Sequence, residues 1–249
     1  MGEDRQPVLH SRITGKATGL ALLPQGNLLL SGWDDQEVSC LFQIDPDGTS
    51  SLVATLPDAQ FLNGMTLLDP EQLLIADSYR GAIWIYSLTE KTVKLWFEHP
   101  ELARSSSASS FPAVNGLKLY SGVLYASNTE KMQLVQIPVV EGQPGQPQVF
   151  VAPINLDDFA FDHQGNLYGT THVYNSVVKI APDGAVTTIA GLEAGMAGST
   201  ALAFGRSSAD QTRIYVVTNG GMSLPPETGL EPARVVRLEV GMAGLPLLG

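Results

Sequence analysis

The chain holds 249 residues, 44% of them hydrophobic, with 25 acidic and 14 basic side chains for a net charge of −11. That is enough apolar material for one sizeable domain spanning residues 1–249, and it leaves no strongly basic face to displace counterions from nucleic acid or settle on an anionic membrane. Cys40 is the single cysteine, which excludes an internal disulfide framework. No apolar run approaches the roughly 18 residues of a membrane span. The polar, acidic start Met1–Gln6 carries no secretory pattern, so a cytoplasmic location is expected.

Read in chain order, a lone strand is predicted at Pro7–Ile13. Five similar segments follow. Each opens with a short strand: Gly19–Leu22, Gly64–Leu67, Gly116–Leu119, Asp158–Phe161 and Ala201–Phe204. Second strands stand at Leu28–Leu30, Leu73–Ile75, Leu124–Ala126, Leu167–Gly169 and Ile214–Val217. Third strands are predicted at Leu41–Ile44, Ile83–Tyr86, Leu134–Ile137, Val177–Ile180 and Val235–Leu238. Turn chemistry punctuates them: Pro24–Asn27 and Asp162–Asn166 between first and second strands, Asp45–Gly48 and Ala181–Gly184 between third and fourth. Thr18, Asn63, Asn115, Asp157 and Thr200 precede the first strands at spacings of 45, 52, 42 and 43 residues. Four-stranded units at that period predict an all-β propeller of five blades. Only three strands are clear in the last unit, so the Pro7–Ile13 strand is expected to close it as its outer strand.

The first strand of each blade should line the central axis. Three long insertions, Glu98–Val114, Gly191–Ser199 and Asn219–Arg234, then open on one face, and turns on the other face are mostly short. Irregular loops gathered on one end of a rigid scaffold mark a binding face, although insertions are tolerated on any surface. Two columns converge there. One is the set before the first strands; the other closes the second strands with Trp33, Asp77, Asn128, His172 and Asn219. Oxygen donors of low charge suit a hard divalent cation such as Ca²⁺. Asn63 and Asn115 are also the first members of Asn-Gly pairs, which shape turns. His172 is equally a hydrogen-bonded loop histidine, and Trp33 equally a packing residue between blades.

Asn63-Gly64-Met65, Val114-Asn115-Gly116-Leu117, Asp157–Asp162 with Gly165–Tyr168, and Ile75–Gly81 resemble blades of the SMP-30/gluconolactonase/strictosidine-synthase-like superfamily, in particular uncharacterised bacterial and fungal SMP-30-like proteins. The resemblance covers nearly the whole chain. It implies a divalent cation held by Asn63, Asn115 and Asp157, with Asp157 also moving protons. The family has six blades and a Glu ligand on the first; here five are legible, and Thr18 or Thr200 stands where that Glu would be. A six-bladed fold with one blade missing is the alternative architecture.

Three functions stay open. The first is cation-assisted hydrolysis of a lactone or small ester, with Asp157 as general base. The second is a metal-free cyclisation or isomerisation of the Diels–Alder type. It would be run by orientation in a pocket lined by Trp33, Tyr79, His172 and Tyr174, with Asp77, Asn128 and Asn219 as further substrate contacts. The third is a binding propeller without chemistry. The expected partner is a small molecule, with neither nucleic acid nor membrane, and a shortened ring could repair itself as a homo-oligomer.

Overall fold

The computed structural model describes residues 8–246. Blade one is β1 (Lys16–Leu22), β2 (Leu28–Trp33), β3 (Ser39–Ile44) and β4 (Ser50–Thr55). Blade two is β5 (Leu62–Asp69), β6 (Gln72–Asp77), β7 (Ala82–Ser87) and β8 (Val93–Glu98). Blade three is β9 (Val114–Tyr120), β10 (Val123–Asn128), β11 (Gln133–Val140), the two-residue β12 (Gln143–Pro144) and β13 (Gln148–Val151). Blade four is β14 (Phe159–Phe161), β15 (Leu167–Thr170), β16 (Val177–Ile180) and β17 (Val186–Ala190). Blade five is β18 (Ser199–Phe204), β19 (Arg213–Thr218) and β20 (Arg234–Glu239). Each sheet is an antiparallel meander of consecutive strands, except that in blade three β12 and β13 both pair with β11, and together they form the five-bladed propeller that the repeat predicts.

The inner strands of the first three blades approach their neighbours closely because the residue after the column position is glycine in each. A Cβ on Gly19 would collide with the Asn63 carbonyl, one on Gly64 with the Asn115 carbonyl, and one on Gly116 with the Asp157 carbonyl. These glycines lie inside strands, so the Asn-Gly pairs serve close approach of neighbouring blades and not a turn. Hydroxyls then latch the blades together. Ser31 Oγ donates to the Asn63 carbonyl at 2.8 Å and Thr170 Oγ1 to the Thr200 carbonyl at 3.1 Å.

Alternating side chains of facing sheets make the cores. Leu29, Leu41, Leu62, Leu73 and Ile75 fill the junction of blades one and two. Leu74, Ile83, Leu117, Leu124 and Val135 fill the next. Leu134, Leu156, Phe159 and Leu167 join blades three and four, and Tyr168, Val177, Leu202, Ile214 and Val216 join four and five. Among the described residues, no such core joins blade five to blade one. Leu20 and Leu52 on blade one are 60% and 50% exposed, and the cross-strand pair Val217 and Val235 on blade five is 45% and 70% exposed.

The expected closing strand is the main correction to the fold. Pro7 lies outside the described residues, and residues 8–13 form no strand. They run beside the outer edge of blade one, where Ser50 Oγ donates to the Arg12 carbonyl at 2.6 Å. Blade five keeps three strands, because the segment is held by the blade into which it leads. The far face is also less plain than the turns imply. β11 and β12 extend a hairpin from blade three, and Trp96 Nε1 of blade two donates to the Gly142 carbonyl at its tip at 2.9 Å.

Candidate functional site

The three long loops do open on the mouth that carries both residue columns, since they enter first strands or join second to third. The column residues meet very different surroundings there. Asn63 and Asn115 are oriented by one repeated device. Ser78 Oγ donates to the Val114 carbonyl at 2.6 Å and so accepts from Asn63 Nδ2 at 3.2 Å. Thr129 Oγ1 donates to the Leu156 carbonyl at 2.9 Å and accepts from Asn115 Nδ2 at 3.1 Å. Each hydroxyl has one proton, already spent on a carbonyl, so the amide nitrogen must face it. Among the described residues, the Oδ1 atoms of Asn63 and Asn115 have no hydrogen-bond donor and are not sealed off.

Asp157 stands next in the column. Asn115 Nδ2 donates to its Oδ1 at 2.6 Å, and His172 Nδ1 lies 3.5 Å from its Oδ2. The side chain keeps 19% of its exposure, so part of the carboxyl still faces the mouth. Burial, and after it the adjacent Asp158 charge, push its pKa up to about 7, against the opposing Asn115 hydrogen bond. Asp158 itself is held by Lys118 Nζ at 2.7 Å. His172 begins a 3-10 turn, His172–Tyr174, that closes on Asn175 in the left-handed region at φ 53°. Burial holds its imidazole below the usual range. On its far side, Asn219 Nδ2 stands 3.0 Å from Nε2.

The remaining candidates divide. Trp33 and Tyr79 are half-buried and joined through Phe61, with ring centroids 5.1 and 4.9 Å apart, and the Arg104 guanidinium lies 4.4 Å from the Tyr79 ring. Phe61 escaped the sequence reading; an aromatic two residues before Asn63 was the available signal. Tyr174 is 58% exposed and reaches Met132 Sδ at 3.8 Å. Asp77 and Asn128 need correcting as substrate contacts. Both are fully buried. The Asp77 carboxylate accepts from the backbone of Gln60, Phe61 and Arg80 and from Trp84 Nε1. Asn128 binds the carbonyls of Glu101 and Ala103 and the Lys131 amide. These two hold loops in place. Cys40 is equally sealed, and burial, then Asp34, push its thiol up to about 11.

Among the described residues, no group of three or more His, Cys, Asp or Glu side chains stands together as a metal cluster. The oxygen set of Asn63, Asn115 and Asp157 is of another kind. Two pinned amides with undonated oxygens beside one carboxylate fit the chemistry of a hard cation, at low charge.

No family model matches the chain. The superposable structures include regucalcin, a calcium-binding protein from Agrobacterium tumefaciens, at 20% identity, a TM-score of 0.63, and coverage of 92% of this chain and 77% of that one. They also include a proposed gluconolactonase at 15% identity and a TM-score of 0.58, covering 94% of this chain and 91% of that one. These likenesses show the fold, a β-propeller shared with both structures. A proposed hetero-Diels-Alderase from Phoma sp is 25% identical over an alignment 225 positions long that covers 77% of this chain. The match spans 63% of that relative's length. No helix among the described residues is long and apolar enough to cross a membrane.

Proposed function

We propose that this propeller is a small-molecule enzyme that performs acid–base chemistry at a substrate carbonyl, with hydrolysis of a lactone or small ester as its reaction. The observation that carries this reading is Asp157: a largely buried carboxyl at the mouth, fixed by Asn115 through Oδ1, faced by His172, and pushed by burial to a pKa of about 7. A group that titrates near the working pH takes up and returns a proton with little thermodynamic loss either way. In the ionised form Asp157 takes a proton from water as that water adds to the carbonyl carbon. It then gives the proton to the ring oxygen as the carbon–oxygen bond breaks, and the product is a hydroxy acid. Asn115 fixes the carboxyl through Oδ1, and the undonated Asn63 and Asn115 oxygens accept hydrogen bonds from substrate hydroxyls. Asn63, Asn115 and Asp157 would also be the residues to hold a divalent cation, which when bound supplies polarisation of the carbonyl.

A second reading has its own support. The Trp33–Phe61–Tyr79 ledge suits a planar apolar substrate, and the Phoma relative's name points to cyclisation. Protonated Asp157 would then donate a hydrogen bond to the carbonyl of a heterodiene held on the ledge. The test is a panel of lactones, aryl esters and unsaturated carbonyl compounds with and without calcium and chelator. Turnover of lactones that Asp157→Asn abolishes supports hydrolysis. Cyclisation without lactone turnover selects the second reading, and turnover of neither class by folded protein overturns both. Calcium that raises the Tm of the parent but not of Asp157→Asn supports the cation set.

A further inference from the structure

We infer that Asn219 is a positioning residue that locks the neutral His172 ring with its proton on Nδ1, where the ring is a donor toward Asp157. The inference rests on the proposed site at Asp157, but its geometry is independent of any substrate. The Asn219 amide has one possible orientation. Its Oδ1 accepts from the backbone N–H of Gly221 at 3.0 Å and of Met222 at 3.1 Å, so the NH₂ end must face His172 Nε2. The turn that supplies those two donors is built for it. Gly220 and Gly221 both sit at positive φ, 74° and 85°, where a side chain would be strained.

A nitrogen that receives an N–H cannot carry a proton of its own. His172 Nε2 therefore offers its lone pair to Asn219, and the single ring hydrogen lies on Nδ1, facing Asp157 Oδ2 at 3.5 Å. The proton so placed makes His172 a donor, and not an acceptor, toward the Asp157 carboxyl. Asp157 is the charged side chain within ion-pair distance of His172 among the described residues; Asp158, held by Lys118, stands behind it.

The test reads the ring nitrogens directly. Long-range ¹H–¹⁵N spectra of histidine-labelled protein, with the His172 signals assigned by loss in His172→Gln, are recorded from pH 5.5 to 8.5. The expected result is a neutral ring with Nδ1 protonated at and above neutral pH. Asn219→Asp keeps an acceptor for the two backbone donors but presents a second oxygen to Nε2. It should draw the neutral ring's proton to Nε2 and so reverse the tautomer. A parent protein with Nε2 protonated, or charged at neutral pH, overturns the lock, as does an Asn219→Asp spectrum that matches the parent's. The parent spectrum decides even if that variant does not fold. Neither spectrum requires turnover, so an inactive protein with the expected tautomer would sink the hydrolase reading while leaving the lock standing.

Discussion

Asp77 and Asp157 are both aspartates at the mouth, one closing a second strand and the other preceding a first, and they meet opposite fates. Asp77 is fully buried but receives four N–H donors, three from backbone that the fold fixes in place. Asp157 receives one hydrogen bond and a distant imidazole, with a second carboxylate beside it. The difference teaches that burial alone does not make an acid reactive. A buried carboxylate saturated by donors ties loops together; one that is under-donated beside a like charge has its pKa driven up toward neutrality.

The sharpest way to break that comparison is to exchange the two sites' expected losses. Asp157→Asn should lower turnover by about 10²- to 10⁴-fold while leaving unfolding by denaturant cooperative. Asp77→Ala should do the reverse. Four stranded donors, Trp84 Nε1 among them, should cost about 3–5 kcal/mol in urea unfolding, with turnover per folded molecule largely kept. Loss of activity from Asp77→Ala at full stability would show that the two acids had been assigned the wrong way round.

A smaller effect sharpens the same contrast through pH. The pKa of Asp157 is raised in the folded state to about 7 from an ordinary value of 3.8. Between those values the folded chain binds a proton that the unfolded chain has lost, so this group's contribution to stability falls as pH rises from 4 to 7. Asp157→Asn removes that dependence. Its stability relative to the parent should therefore improve from pH 5 to pH 8, by an amount on the order of a few kcal/mol at most. Melting curves at the two pH values check the sign. A relative stability of the variant that stays flat or falls with rising pH would mean that Asp157 is ordinarily ionised, and the acid–base reading would go with it.

Much of the scaffold was legible because its signals are local. Alternating apolar strands and the Asp45–Gly48 and Ala181–Gly184 turns announce blades regardless of what packs on them. The column Thr18, Asn63, Asn115, Asp157, Thr200 was legible too, since a repeat exposes equivalent positions. What the column means was not. Nothing in the sequence distinguishes Asp77 from Asp157, because their fates turn on donors contributed from residues 60, 61 and 80 in one case and 115 in the other. The Ser78 and Thr129 hydroxyls that orient the two asparagines were unread for the same reason. The Pro7–Ile13 strand failed differently. Closure was inferred from a strand count, and a count does not say which edge a segment will meet.

That open edge yields the finest prediction, between two adjacent valines. Val236 points into the core shared with blade four, whereas Val235, its neighbour on β20, points to the uncovered side and is 70% exposed. Truncating Val236 to alanine should cost about 1 kcal/mol, and truncating Val235 no more than about 0.5 kcal/mol, by denaturant unfolding at low protein concentration. If Val235→Ala costs as much as Val236→Ala, the flank of blade five is covered in solution. The cost should then depend on protein concentration, because the occupant expected from the shortened ring is a second copy of the chain, and dissociation on dilution would remove it.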